Sequence, residues 1–388
     1  MSRFKPTHCF QPTVEALEDR SLMSVSLAAP KVVPNWFDTH LKDALVRKLT
    51  RQLDADRVLS RTDMRAVFGQ VAKDNIVSSN EFSDLKTIVA NPSVLGIPKY
   101  VENLAAKVVN GDPANAQYQG GTLGNLHADS TGTQLNKLDS KWFLGTDHPQ
   151  TTYPYARAAG RLFGSSGPVY QDVHQGYLGD CYLLAALAET ALRSSQAVNT
   201  MFIDNGDQTW TVRYYVNGKA TYVTVDRYLP ANGSGRFVFA NYGHSVSNPQ
   251  EVLWVALAEK AYVQLNESGL LGRSAGNSYS LIEGGYAALA LQQISARVYS
   301  RLPLISSSLT ALVNAWNSGR LISLSSKGTN KMTDPIIGHH AYALVGYNTT
   351  NKTFLAFNPW GISNPHDSGL ITLTWTQMVQ YFNFWAYV

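Results

Sequence analysis

The chain has 388 residues, enough for two domains of ordinary size. Apolar residues make up 44% and charged residues only 15%, against about 25% in an average soluble domain, which excludes a charge-driven disordered polyelectrolyte. The net charge of +4 comes without a basic run able to neutralise phosphates, so no nucleic-acid partner is expected, and no stretch of 18 apolar residues is present to make a membrane-spanning helix.

In chain order, residues 1–37 form a leader or flexible terminus. The acids Glu15, Glu18 and Asp19 precede the mildly apolar Val25 to Pro30, which makes a poor ordinary signal peptide. The stretch from Val14 to Ser24 resembles the LEDR-type N-terminal leader of many large bacterial surface or exported proteins, and an acidic helical turn is the alternative reading. The leader reading implies export or the cell surface, and otherwise the expected location is cytoplasmic.

Residues 38–109 predict a small helical region. Leu41, Ala44, Leu45, Leu49 and Leu53 fit one face of a 3.6-residue period. Two segments then echo each other, Val58 to Val67 and Ile76 to Leu85, each placing an acid three residues after a serine. That spacing predicts capping boxes, Ser60 with Asp63 and Ser78 with Glu81. A degraded pair of calcium loops is the alternative, but the alternating oxygen ligands and the mid-loop glycine are missing.

Residues 110–139, rich in Gly, Asn, Thr, Asp and Ser, have linker composition, and a second domain is expected over 140–388. Its first part predicts a helix from Asp180 to Leu192, a hairpin of strands 210–216 and 220–226 around Asn217-Gly218, and a helix with the stripe Trp254, Leu257, Ala258, Ala261 and Leu265. From Leu321 onward, segments 321–324, 341–347, 353–357 and 369–373 predict a β meander. The expected fold class is thus α+β, a helical half followed by a β-rich half.

The two cysteines, Cys9 and Cys181, cannot make a disulfide framework, and the clustered Cys and His of a zinc site are absent. Cys181 follows Gly179-Asp180 at the start of an apolar helix, where the dipole and open N–H groups favour a thiolate. A buried structural cysteine is the bland alternative. Gln175, six residues upstream, has an amide that could face an oxyanion together with the Cys181 N–H. Far downstream, His340 in Gly338-His-His-Ala-Tyr342 could serve as base, and Asn358 in Phe357-Asn-Pro-Trp-Gly361 could orient it. His339 competes with His340, and strand alternation would send the two rings to opposite faces.

Gln175-Gly-Tyr-Leu-Gly-Asp-Cys-Tyr-Leu-Leu-Ala-Ala-Leu, His340-Ala-Tyr and Asn358-Pro-Trp-Gly resemble the three active-site segments of the calpain family of cysteine proteases. The likeness runs over about residues 140 to 388, while the first 110 residues resemble nothing in that family. The resemblance implies a papain-like two-half protease domain, with the nucleophile in the helical half and His and Asn in the β-rich half. It implies Cys181 as nucleophile, His340 as general base and acid, Asn358 as orienting residue, Gln175 as oxyanion donor and Trp360 as a shield for the His–Asn bond. Tyr182 stands where the family usually has Trp.

The activity so implied is cleavage of peptide bonds in an extended protein segment, through an acyl-enzyme. A non-catalytic surface or scaffold protein retaining the fold is the alternative, and a transglutaminase-type acyl transferase is disfavoured by Asn358. Family precedent also implies calcium. Gly167 and Asp172 fall where one site's ligands would lie, with Glu251 close to a third. The loop after Gly361 offers only Asp367 for the other site, too few charges for a hard cation. At most one weak site, from Asp172 and the Gly167 carbonyl, and no required cofactor are expected.

Overall fold

The computed structural model describes residues 35–362 and 369–388, so the leader-type stretch Val14 to Ser24, Cys9 and Asp367 lie outside the described residues. Five helices come first: α1 (Trp36–His40), α2 (Ala44–Leu53), α3 (Arg61–Val71), α4 (Ser79–Ala90) and α5 (Lys99–Val109). Both capping boxes form. The Ser60 hydroxyl accepts the Asp63 N–H while the Asp63 carboxylate accepts the Ser60 N–H at 2.9 Å, and Ser78 and Glu81 repeat the exchange at 2.8 Å. The inward face of α2 departs from the expected stripe, since Val46 and Thr50 are buried and Leu45 is 60% exposed. The cause is a tertiary anchor: the buried Asp84 carboxylate accepts the Lys42 and Asp43 N–H groups and sets the rotation at which α2 leaves its cap.

The stretch 110–139, expected as a linker, is instead built into the fold. It holds the small ladder β1 (Gln117–Tyr118) with β2 (Gly121–Thr122) and the start of α6 (Gly132–Leu144). Asn115 is fully buried, donating to the Lys107 carbonyl at 2.8 Å and accepting from the Trp142 indole at 2.7 Å. Its polar residues act as local caps and buried partners, a role that composition does not distinguish from that of a solvated tether. One hydrophobic core accordingly runs from Phe37 to Val388. Buried cations tie the first helices to the rest: Arg61 pairs with Asp207 at 2.9 Å, and the Lys107 amine donates to the Tyr222 carbonyl at 3.0 Å while lying over the Trp142 ring.

The chain continues through β3 (Tyr155–Arg157), α7 (Cys181–Arg193), α8 (Ser195–Asn199), β4 (Phe202–Asp204), β5 (Thr209–Val216), β6 (Lys219–Asp226), β7 (Tyr228–Pro230), α9 (Trp254–Glu267) and α10 (Ala287–Ser295). The β5–β6 hairpin turns at Asn217 and Gly218 with φ of 50° and 74°, as its Asn-Gly pair predicts. α9 is buried on nearly every side rather than along one stripe. Then follow β8 (Ser300–Pro303), α11 (Leu309–Asn317), β9 (Ile322–Ser326), β10 (Ala341–Asn348), β11 (Thr353–Phe357), β12 (Leu370–Thr374), α12 (Trp375–Tyr381) and β13 (Phe382–Tyr387).

β8 to β13 make one antiparallel sheet in the order β12-β11-β10-β9-β13-β8. The predicted meander β9 to β12 is present, and β13 closes beside β9. β10 is buried on both faces: Ala341 and Ala343 belong to the core that surrounds α7, and Tyr342 and Leu344 to a second cluster with β9, α11 and α12. The mixture of helices and antiparallel sheets is α+β. Because α7 packs directly on β10, the first turn of α7 meets the start of that strand.

Candidate active site

Cys181 is the first residue of α7. Asp180 holds the capping position before it, yet its side chain makes no capping bond and is fully buried. It lies beside Glu259 of α9, and burial pushes both carboxyl groups up, Asp180 to about 7. A proton held between the two acids satisfies the pair. Glu259 is held in turn by the Ala240 N–H at 3.1 Å. The cap is thereby withheld, and the first N–H groups of α7, those of Cys181 and Tyr182, stay directed at the sulfur.

The thiol itself departs from expectation. Burial pushes it up to about 11, outweighing the Ala341, Tyr182 and Cys181 N–H groups that favour the thiolate, and the Asp180 charge adds to the rise. The helix start alone therefore does not ionise the sulfur, because desolvation opposes the dipole and is larger.

His340 lies just before β10. Its backbone is clamped to β9: the His340 N–H donates to the Ser326 hydroxyl at 2.9 Å and the Ser326 N–H donates to the His340 carbonyl at 3.0 Å. The Ala341 N–H, one residue on, faces the Cys181 sulfur, which brings the cysteine and histidine segments together. The ring Nε2 lies 2.9 Å from the Asn358 Oδ1. That same oxygen accepts the Trp360 N–H at 3.1 Å, and a backbone N–H can only donate, so Oδ1 is an acceptor and Nε2 must carry the proton. In the neutral ring the lone pair is then on Nδ1. The Trp360 ring sits 5.3 Å from the His340 ring and covers this corner.

The expected reason for setting His339 aside does not hold. Neither histidine is inside the strand, which starts at Ala341. His339 instead adopts a left-handed conformation, φ 54°, and its exposed ring lies over the backbone of Gly328, while His340 is buried.

Gln175 is joined to the asparagine segment, its N–H donating to the Pro359 carbonyl at 2.8 Å. Its side-chain Nε2 donates to the Leu178 carbonyl at 2.7 Å, which identifies the nitrogen end of the amide and leaves that nitrogen a second hydrogen. The chain comes close here: a Cβ on Gly176 would meet the Val238 carbonyl oxygen at 2.2 Å, so only glycine fits. Ser326, Glu259 and the Pro359 carbonyl had no local sequence signal. Only the approach of distant segments gives them their roles.

Of the residues implied for calcium, each carboxylate has one oxygen taken by protein donors. Asp172 accepts the Val169 N–H at 3.0 Å and the Trp254 indole at 2.7 Å through one oxygen. Glu251 accepts from the Asn241 amide at 3.0 Å and pairs with His244 at 2.8 Å. Gly167 sits in a tight turn closed on Gly164. Both carboxylates are met by protein donors, and among the described residues no three or more His, Cys, Asp or Glu side chains gather as a metal centre. No described helix is long and apolar enough to cross a membrane.

Compared with known proteins, residues 154–377 match the family described as calpain family cysteine protease. Similar curated proteins include the calpain-type cysteine protease DEK1 of Zea mays, 30% identical over 207 residues that make up 49% of this chain and 9% of that protein. Calpain clp-4 of Caenorhabditis elegans is 29% identical over 210 residues, 49% of this chain and 27% of the relative. Calpain-8 of Homo sapiens is 28% identical over 242 residues, 56% and 32%. The matched stretch thus spans less than a third of each of these relatives.

Proposed function

The chain belongs to the calpain family of cysteine proteases, and from that premise we propose that it is an endopeptidase working through Cys181, His340, Asn358 and Gln175 on a papain-like two-half scaffold. The observation that carries this reading is the doubly bonded Asn358 oxygen, which fixes the His340 proton on Nε2 and so turns the basic nitrogen into a proton acceptor. With the resting thiol held up to about 11, solvent at neutral pH does not ionise it, and a positioned base is needed.

In the proposed cycle, His340 Nδ1 takes the Cys181 proton as the sulfur attacks the scissile carbonyl. The resulting oxyanion is met by the Cys181 N–H and the second hydrogen of Gln175 Nε2. The imidazolium then gives its proton to the departing amine, the C–N bond breaks, and a thioester remains. Water passes a proton to Nδ1 and attacks the thioester. The C–S bond breaks, the acid product leaves, and the proton returns to sulfur. Calcium is given no step in this cycle, in which one oxygen of each implied carboxylate is held by Trp254, Asn241 or His244.

The reading is tested by hydrolysis of a quenched-fluorescent peptide mixture. Cys181→Ser should keep the thermal midpoint while turnover collapses, because serine at this position is a far weaker nucleophile. Undiminished turnover in that variant would refute the assignment.

A further inference from the structure

A groove of about 480 Å³, whose wall includes Leu178 three residues before Cys181, is left unused by the catalytic roles above. It opens next to the active site: Leu178, whose carbonyl holds Gln175, forms part of its wall. Glu283 forms another part and runs along Gly179, its Cβ, Cγ and Cδ within 3.7–3.9 Å of where a Cβ on that glycine would stand. The Gly284 N–H donates to the Gly179 carbonyl at 2.8 Å, which fixes the Glu283 segment two residues from Cys181.

The groove has aromatic sides and one charge. Tyr153, Tyr177, Phe239 and Tyr279 supply the rings, and the remaining polar lining is neutral Ser, Thr and Gln. Glu283 is exposed, and among the described residues no cation lies within ion-pair distance of it. Arg273, which reaches the carbonyl of the residue after Glu283, is turned to carbonyls, donating to Leu281 at 3.2 Å and Gly284 at 2.8 Å. Phe239 and Tyr279 are buried and stacked on each other, so the open rings are those of Tyr153 and the exposed Tyr177. A carboxylate without a counter-ion beside them suits a long cationic side chain whose methylenes pack on these rings while its head reaches the acid.

We infer that this groove selects a lysine or arginine side chain of the bound peptide close to the scissile bond, and that Glu283 is the residue that sets the preference. The inference rests on the proposed peptidase reading and adds the substrate class.

The test uses the full chain and peptides carrying lysine at one position at a time, four residues to either side of the cleaved bond. Each is paired with an ε-acetyl-lysine peptide of the same sequence, nearly the same side chain without its charge. At one position the wild-type kcat/KM should favour lysine about tenfold, as for an ion pair in a partly enclosed site, and the preference should shrink with added salt. Glu283→Gln should bring that ratio close to one, and Glu283→Lys should invert it. Cleavage with no lysine preference, or with a preference that survives in Glu283→Gln, would overturn this inference alone. Failure to cleave any peptide, together with no labelling of Cys181 by a thiol-directed inhibitor, would overturn the inference and the peptidase reading beneath it.

Discussion

On the histidine side of the candidate site, uncharged hydrogen bonds from Ser326 and Asn358 hold the backbone and ring of His340. On the cysteine side, Cys181 follows the buried acid Asp180, which is coupled to the buried Glu259. The first arrangement is built from uncharged donors and acceptors. The second depends on a protonation state. Substitutions can pull the two sides apart.

The largest expected effect is on the histidine side. His340→Ala should lower kcat/KM by about 10⁴, near the upper limit for loss of a positioned acid–base group. His339→Ala should stay close to wild type, because its ring lies outside the site over Gly328. A reversal of the two, read by peptide hydrolysis, would mean that the left-handed turn at residue 339 does not hold in the working enzyme.

Next in size, Gln175→Ala should lower kcat by about 10²–10³ with KM little changed, as for a donor engaged mainly in the transition state. A change confined to KM would place Gln175 in ground-state binding instead.

On the cysteine side the expected effect is on stability against pH. Asp180 and Glu259 both have folded-state values raised above those of the unfolded chain by burial. Between about pH 4 and 7 the folded state therefore keeps a proton that the unfolded state releases. The contribution is complete below pH 4 and is lost as pH rises through about 7, so stability should fall with rising pH in that window. Glu189, fully buried in α7 and pushed up to about 8 by burial, has the same sign. Glu189→Gln can still accept the Ile322 N–H, now met at 2.9 Å, and should flatten the slope by a few kcal/mol between pH 5 and 8 in denaturant titrations. An unchanged slope would show that this carboxylate is ionised in the folded protein. The smallest effect is on metal removal: excess chelator should leave peptide turnover unchanged, and loss in chelator with recovery on added calcium would contradict the engaged state of Asp172 and Glu251.

What the sequence made legible follows the range of the interactions. The capping boxes at Ser60 and Ser78 and the hairpin at Asn217-Gly218 need only neighbours within a few residues, and they form as read. The three segments of the candidate site were legible because each carries a local requirement, such as a cysteine at a helix start or Asn-Pro-Trp after a strand. Long-range effects escaped. The rotation of α2 is set by Asp84, and residues 110–139 are ordered by partners such as Trp142. Asp180 occupies a capping position, where local rules expect a cap, but Glu259 on another helix draws it away. The thiol was expected to be lowered by the helix start and is raised, since burial is a property of the whole fold.

The central claim, that His340 activates Cys181, is tested most directly by covalent capture. The full chain would be treated at neutral pH, in chelator, with an epoxide-type cysteine-protease inhibitor, and the adduct mapped by peptide mass spectrometry to separate Cys181 from Cys9. The account predicts one adduct, on Cys181, that forms in the wild type and is lost in His340→Ala. An adduct on Cys181 forming equally fast in His340→Ala, or none in the wild type, would contradict it.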